Sequence, residues 1–107
     1  MTTEIKQALA ELRDALQKLL GDNLLEVRLF GSRARGDAEP DSDVDVCLLV
    51  KRRSRMLRGK ILDIAAELSL KYELLIMPLI MTPAELADEE DMETLLYSSL
   101  MKEGIVI

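Results

Sequence analysis

Two apolar segments near the middle of the chain, joined by a short polar loop, constrain the fold most strongly. In residues 24–30 aliphatic side chains alternate with charged ones, and in residues 43–50 valine and leucine occupy every second position. Successive side chains of a strand point to opposite faces, so each segment is predicted to be a strand with one face in the core. Residues 31–42 contain two Gly, one Pro and several Asp and Ser, and they predict a loop with room for one helical turn.

The segments on either side of this hairpin predict helices and a further strand. Apolar residues recur at helical spacing in residues 4–20 and 56–69, and Gly21 ends the first of these helices. The other predicted elements are a strand at 72–80, a short helix that starts at the capping box Thr82-Pro83-Ala84-Glu85, and a last helix near 91–103 that ends at Gly104.

This order of elements predicts the fold class and the domain organisation. Helix, strand, strand, helix, strand, helix indicates an α/β (α+β) fold, a small mixed β-sheet with helices packed on one face. Pro78 lies inside the third strand and requires an edge position or a bulge there. The 107 residues suit one core, so residues 1–107 are expected to form a single domain. With two Tyr, one Phe and no Trp, that core must be aliphatic.

The composition excludes several classes of active site. With no His and a single Cys, the chain cannot form a Ser-His-Asp or Cys-His triad, and a zinc site is not expected. The single Cys47 lies in an apolar run, where we expect a small buried hydrophobe and a reducing, cytoplasmic location. No apolar run approaches the roughly 18 residues of a membrane span. The net charge of −6 argues against a nucleic-acid-binding surface.

Two surface features each have two interpretations. The basic run Lys51-Arg52-Arg53-Ser54-Arg55 is either a solvated turn or a surface that meets phosphates or an acidic partner. The Leu and Met residues of the last predicted helix either belong to the core or form a surface for a partner or a second copy, which makes a homodimer an open expectation.

The strongest chemical signal is the pair of acidic residues that begins the second strand. Asp43 and Asp45 are two positions apart and therefore project to the same face, with Cβ atoms roughly 7 Å apart. Such carboxylates can converge on one Mg²⁺ or bracket two. The alternative is that both lie on the solvent face of a half-exposed strand. Asp is depleted from strands, and a buried pair of like charges would need a counter-ion.

The loop before these aspartates supplies groups that suit phosphate. Gly31 and Ser32 follow directly on the first strand, where glycine permits close backbone approach and a turn exposes N–H donors. Arg33 and Arg35 add charge-assisted donors, although a surface role explains each arginine equally well. The pattern as a whole places phosphate donors beside Mg²⁺ ligands.

These residues resemble a known family. The segment FGSRARGDAEPDSDVDVCLLV is similar to the active-site hairpin of the DNA polymerase β nucleotidyltransferase superfamily, with an apolar residue, Gly-Ser, about ten residues and Asp-x-Asp. Its closest likeness is to the stand-alone minimal nucleotidyltransferases of bacteria and archaea. The resemblance extends more weakly through the rest of the chain to the closing segment Lys102–Gly104.

The resemblance implies a role for each matching residue. Gly31 and Ser32 would hold the β- and γ-phosphates of ATP, and Asp43 and Asp45 would bind two catalytic Mg²⁺ ions. The family usually takes a third carboxylate from the next strand as a metal ligand or general base. Glu73 is the candidate here, with an exposed strand-end Glu as the alternative.

The resemblance also implies an activity and a partner. Members of this branch often pair with a small helical partner of the HEPN type and act as antitoxins, some by transferring AMP to that partner. The chain is therefore expected to transfer a nucleoside monophosphate from ATP to a partner protein. The alternative is a nucleotide-binding protein that turns over weakly and neutralises its partner by contact.

Overall fold

The computed structural model describes residues 2–107 as a chain of alternating helices and strands. Thr2 caps the first helix, since its side chain accepts a hydrogen bond from the Ile5 N–H. The elements in chain order are α1 (Thr3–Leu20), a 3₁₀ turn (Gly21–Asn23), β1 (Leu24–Phe30), α2 (Ser32–Arg35), β2 (Val44–Val50), α3 (Arg55–Tyr72), β3 (Ile76–Met81), α4 (Pro83–Asp91), α5 (Leu95–Ser98), a π-helical turn (Ser99–Glu103) and β4 (Ile105–Val106).

The four strands form one mixed sheet in the order β3-β2-β1-β4. The hairpin strands β1 and β2 are antiparallel, β2 and β3 are parallel, and β4 runs antiparallel to β1. The predicted mixed sheet and the α/β class are therefore confirmed. Both strands of the hairpin lie within one residue of their predicted bounds, because alternation of side chains defined them clearly.

One face of the sheet holds the main core. Helices α1 and α3 pack over it with aliphatic side chains, and Leu16 of α1 and Leu48 of β2 are fully buried. The fully aliphatic core predicted from the composition is what the structure shows on this face. Among residues 2–107, each helix is too short or too polar to cross a membrane.

The other face of the sheet is also covered in part, so the helices are not confined to one face as predicted. Cys47, Met81 and Leu100 form a second buried cluster, which side chains of α4 and α5 complete. Arg28 of β1 fixes the last helical turn, since its Nη1 donates a hydrogen bond of 2.9 Å to the Leu100 C=O. Periodicity did not reveal this second layer because α4 and α5 are short.

The third strand differs from its prediction at its start and agrees at its edge. Helix α3 continues to Tyr72, so β3 begins at Ile76 rather than at residue 72. The strand lies at the sheet edge, as Pro78 required. The Leu75 C=O faces β2 and accepts a hydrogen bond from the Val44 N–H. The N–H of the next residue, Ile76, points away from β2 and donates to Ser69 Oγ. Pro78 has the same outward orientation, where its missing N–H costs no ladder bond.

The C-terminal region is more broken than the sequence indicates. Instead of one helix over residues 91–103, α4 ends at Asp91 with Met92 as its cap, and α5 begins after Thr94, with Glu93 in the left-handed region at a φ of 51°. Residues 105–106 then form β4 against β1, a strand that the sequence analysis missed. A two-residue strand carries no detectable alternation, so periodicity could not have found it.

Candidate active site

The end of β1 turns sharply into a short helix at Gly31. This glycine has a φ of 75°, a conformation that side-chain-bearing residues rarely adopt. Its C=O accepts the N–H groups of Ala34 and Arg35, each at 3.1 Å, which starts α2 at Ser32. The first N–H groups of a helical turn have no preceding carbonyl partner, so those of Ser32 and Arg33 remain available to an acceptor.

Asp45 lies directly against this turn. The ladder of β1 and β2 pairs Phe30 with Asp45, so the acid is opposite the residue that precedes Gly31. A Cβ atom built on Gly31 would stand 2.5 Å from Asp45 Oδ2. Because such a contact is too short for any real side chain, only glycine lets the backbone and the carboxylate approach this closely. The glycine turn and the Asp45 carboxylate therefore lie side by side.

The electrostatics around Asp45 favour a cation. Its side chain is half-buried, and burial, followed by repulsion from Asp43, raises the pKa of the Asp45 carboxyl. Arg35 acts in the opposite direction but does not cancel these effects. No ion pair among residues 2–107 involves Asp43 or Asp45. Two carboxylates without a positive partner, one of them desolvated, form a location where a metal ion would be stabilised.

The donor set fits Mg²⁺ in kind. This ion takes oxygen ligands, commonly one or two carboxylates completed by substrate phosphates and water. Within the described residues 2–107, no cluster of three acidic or other metal-ligating side chains is assembled. The described residues thus offer the two carboxylates of Asp43 and Asp45, and a bound phosphate and solvent would supply further ligands.

Glu73 does not lie where the sequence analysis placed it. It ends α3 as the C-terminal capping residue, with a φ of 52° and a ψ of 43°, instead of standing on a strand. Its N–H and that of Leu74 donate to the Ser69 C=O, which closes the helix. Glu73 is exposed and forms no three-carboxylate cluster with the two aspartates. The residue that β3 places in register with Asp45 is Met77, with 45% of its surface exposed.

The Arg33 side chain contacts the loop between α2 and β2 rather than the glycine turn at Gly31. Its Nη2 donates to the C=O groups of Pro40, at 3.2 Å, and Ser42, at 2.8 Å. Its Nε is buried and has no partner in the described chain. The sequence analysis did not foresee this contact, since nothing local marks a side chain that closes its own loop. By holding the residues just before Asp43, Arg33 positions the start of β2.

Arg35 is directed toward carboxylates at the surface. It pairs with Asp37 at 3.2 Å and with Glu103 at 3.3 Å. Glu103 belongs to the π-helical turn, so this pair links the loop of the site to the C-terminal region. Arg35 is near enough to Asp45 to act on its pKa, and a bound anion could compete for its guanidinium.

Fold and site together define the class of the protein. A strand that ends in a glycine turn, followed by a loop and an antiparallel strand with Asp43 just before it and Asp45 as its second residue, is the arrangement of a nucleotidyltransferase domain. The nucleotidyltransferase domain family matches residues 9–107, and the chain belongs to that family. The resemblance noted in the sequence is confirmed, and the protein is a nucleotidyltransferase.

Two proteins of Methanocaldococcus jannaschii are similar to the chain in sequence. One, with the provisional name protein adenylyltransferase, is 45% identical over 78 residues, which cover 72% of this chain and 79% of the relative. The other, with the same provisional name, is 35% identical over 86 residues, which cover 78% of this chain and 58% of the relative.

Two solved structures share the fold at low sequence identity. A chain of a toxin–antitoxin complex with AMP-PNP has a TM-score of 0.61 and 20% identity, over 98% of this chain and 72% of that one. A chain of a complex between a tri-AMPylated Shewanella oneidensis HEPN toxin and an MNT antitoxin has a TM-score of 0.60 and 15% identity. The match covers 94% of this chain and 69% of that one.

Proposed function

We propose that the chain binds ATP with Mg²⁺ between the glycine turn and the aspartate pair and transfers AMP to a partner protein. The observation that carries this proposal is the close approach of Asp45 Oδ2 to Gly31, where an added Cβ atom would stand 2.5 Å from that oxygen. This approach supports a metal-ligand role for that oxygen beside N–H groups that would receive phosphate. The provisional name of the two archaeal relatives supports a protein acceptor and an adenylyl donor.

The roles of the residues follow from their chemistry. Ser32 and the N–H groups of the α2 turn would hold the terminal phosphates, while Asp43 and Asp45 would hold Mg²⁺. The metal, when bound, neutralises charge that develops on the phosphate oxygens. The acceptor hydroxyl would attack the α-phosphorus in line, and the bond to the bridging oxygen would break to release pyrophosphate. Because both aspartates would be occupied as metal ligands, the hydroxyl proton would pass to solvent.

A second function is favoured by the absence of a third carboxylate from the cluster. With Met77 beside Asp45 in the sheet and Glu73 at a helix end, a general base is not assembled among residues 2–107. The chain would then bind nucleotide, turn over slowly, and neutralise a HEPN-type partner by contact. The toxin–antitoxin complexes that share the fold support a partner of this kind.

Label transfer from ATP tests the first function. The chain is incubated with ATP labelled at the α-phosphate, Mg²⁺ and a HEPN-type partner protein, and label on the partner is measured. We expect Asp45→Asn to lower labelling by about 10²-fold or more, the effect of losing a group that stabilises transition-state charge. Asp41→Asn is the matched control, because Asp41 is an exposed acid of the same loop that has no ion pair within the described residues 2–107.

The outcomes separate the two functions. Labelling that survives Asp43→Asn and Asp45→Asn would contradict the proposed site. Neutralisation of the partner that survives both substitutions, without labelling by the wild type, would support the contact mechanism. Calorimetry with ATP and Mg²⁺ is the third measurement, and an absence of binding to the wild type would contradict both functions.

A further inference from the structure

A cavity of about 220 Å³ opens at the end of the sheet opposite to the aspartate pair. Its apolar base includes Val50, the last residue of β2, with Ile61 and Ile80. Val50 is five positions from Asp45 along β2, a separation of about 16 Å for an extended strand. The cavity, here named the basic cavity, is therefore separate from the candidate active site.

Arginines form the rim of the basic cavity, in a chain whose net charge is −6. Arg53 is neutralised by Glu85, with Nε 2.8 Å from Oε1. Arg52, Arg55 and Arg58 line the same cavity and have no ion pair among residues 2–107. An apolar depression with unpaired guanidinium groups around it is complementary to an exposed apolar side chain that has carboxylates beside it.

The chain carries such a complementary surface at the end of α4. Asp88, Glu90 and Asp91 are exposed and have no cationic partner within residues 2–107. Beyond them, Met92 is 67% exposed and Leu95 is 90% exposed. We name these residues the acidic tip. A leucine this exposed gains little from folding, and its burial elsewhere would be favourable.

The basic cavity lies at the start of α4 and the acidic tip at its end, so the two surfaces are separated on one molecule. The Glu85–Arg53 pair holds the start of α4 at the cavity rim. The nine-residue helix then carries the acidic tip about 13 Å along its axis. Two separated and complementary surfaces become self-complementary around a twofold axis, since each cavity then receives the tip of the other copy.

We infer that the chain forms a twofold dimer in which Leu95 of each copy enters the basic cavity of the other. Nucleic acid fits this location less well. No aromatic side chain lines the cavity to stack on a base, and Glu85 stands at the rim. The inference is independent of the proposed catalytic activity.

Charge exchange tests the dimer directly. One variant carries Arg55→Glu and Arg58→Glu, and the other carries Glu90→Arg and Asp91→Arg. Sedimentation equilibrium should show a dimer for the wild type and at least about 100-fold weaker association for each variant alone, because buried like charges oppose each other. An equimolar mixture of the two variants should form the dimer again, which also shows that both variants are folded.

Matched substitutions isolate the contact from general effects. Lys60→Glu changes the charge on α3 without touching the cavity and should leave association unchanged. Leu95→Ala should weaken the dimer about tenfold, whereas Leu70→Ala, at a leucine that is 83% exposed on α3, should not.

Three results would overturn the inference. The first is a wild type that sediments as one chain at every concentration, and the second is a mixture of charge variants that stays monomeric. The third result is a monomeric wild type that binds a single-stranded oligonucleotide and loses that binding with Arg55→Glu and Arg58→Glu, which would assign the cavity to nucleic acid.

Discussion

Gly31 meets two requirements at once, a positive φ and the close approach of Asp45 Oδ2. Gly31→Ala should therefore cost about 1–3 kcal/mol of unfolding free energy for the backbone conformation. It should also displace the Asp45 carboxylate and lower ATP affinity at least about tenfold, equivalent to 1.4 kcal/mol. Calorimetric titration with Mg²⁺ and ATP, together with thermal unfolding, measures the two effects.

Gly21 supplies the matched control for this substitution. It also has a positive φ, of 54°, but a Cβ atom built on it meets nothing within 4 Å, and it lies at the end of α1. Gly21→Ala should lose similar stability and keep its ATP affinity. Equal loss of affinity in both variants would show that the glycine turn has no special role in binding.

The raised pKa of Asp45 makes a prediction about stability in the absence of metal. The ordinary pKa of this side chain is 3.8, and the folded protein raises it, so the folded state binds the proton more strongly than the unfolded state does. Stability then falls as the pH rises from 3.8 through the raised pKa. In the presence of a chelator, Asp45→Asn should therefore unfold at a higher temperature than the wild type at pH 7.

The same experiment tests the metal. Adding Mg²⁺ should raise the unfolding temperature of the wild type and have less effect on Asp45→Asn, because a ligand stabilises only the state that binds it. Asp41→Asn should have the unfolding temperature of the wild type both with the chelator and with Mg²⁺. An Asp45→Asn protein that is less stable than the wild type at pH 7 would contradict the electrostatic account.

At the scale of elements, the loop between α2 and β2 depends on Arg33. Replacing it with Ala removes two hydrogen bonds to the carbonyls of Pro40 and Ser42 and should cost about 1–3 kcal/mol. The amides of residues 37–41 should then exchange hydrogen faster. ATP affinity should also fall, because the loop no longer holds Asp43 in position. Hydrogen exchange resolved by peptide measures the loop separately from the core.

Arg33→Lys distinguishes this clamp from a direct phosphate contact. Lysine keeps the charge, but its side chain is shorter and lacks the terminal Nη2 group that donates to both carbonyls. If Arg33 acts through the loop, Arg33→Lys should resemble Arg33→Ala in exchange and affinity. Retained affinity in the lysine variant, with a loop that exchanges as in the wild type, would favour the phosphate contact.

The sequence was sufficient to predict the hairpin because its signals are local. Alternating side chains fix β1 and β2, and the positions of Gly31 and Asp45 follow from where those strands end and begin. The contact between these two residues depends on the register that pairs Phe30 with Asp45, which the sequence analysis did not specify.

The third strand and the C-terminal region were harder to predict for physical reasons. The residues from Leu74 to Ile76 are a continuous apolar run, which fits either the end of a helix or the start of a strand. Placing the strand at residue 72 put Glu73 on the sheet, whereas the left-handed cap of α3 excludes it. The contacts of Leu100 with the second face join residues far apart in the chain, which periodicity does not report.

At the scale of the whole molecule, the sheet separates two cores of unequal size. The larger lies under α1 and α3, while the smaller consists of Cys47, Met81 and Leu100 beneath the C-terminal helices. The smaller core covers the same sheet face that carries Asp45. Because so few buried contacts hold it, we expect this layer to open locally more often than the whole protein unfolds.

Cys47 provides an internal probe of that opening. Burial, followed by the charge of Glu26, raises the pKa of its thiol to about 11, so the folded protein presents little thiolate at neutral pH. A thiol reagent should therefore react slowly with the wild type. Leu100→Ala should cost about 2–5 kcal/mol and should speed the reaction strongly, because it removes the side chain that packs on Cys47.

Leu16→Ala separates local opening from global unfolding. Leu16 is fully buried in the larger core, so its loss should cost a similar 2–5 kcal/mol, roughly, without loosening the second face. Urea is used to bring both variants to the same free energy of unfolding. Under those conditions the Cys47 thiol of Leu100→Ala should react at least about tenfold faster than that of Leu16→Ala, because local opening of the second face exposes Cys47 without global unfolding. Equal rates at matched stability would mean that the C-terminal layer and the main core unfold as one unit, and Asp45 would then lie on a face that opens only when the whole fold does.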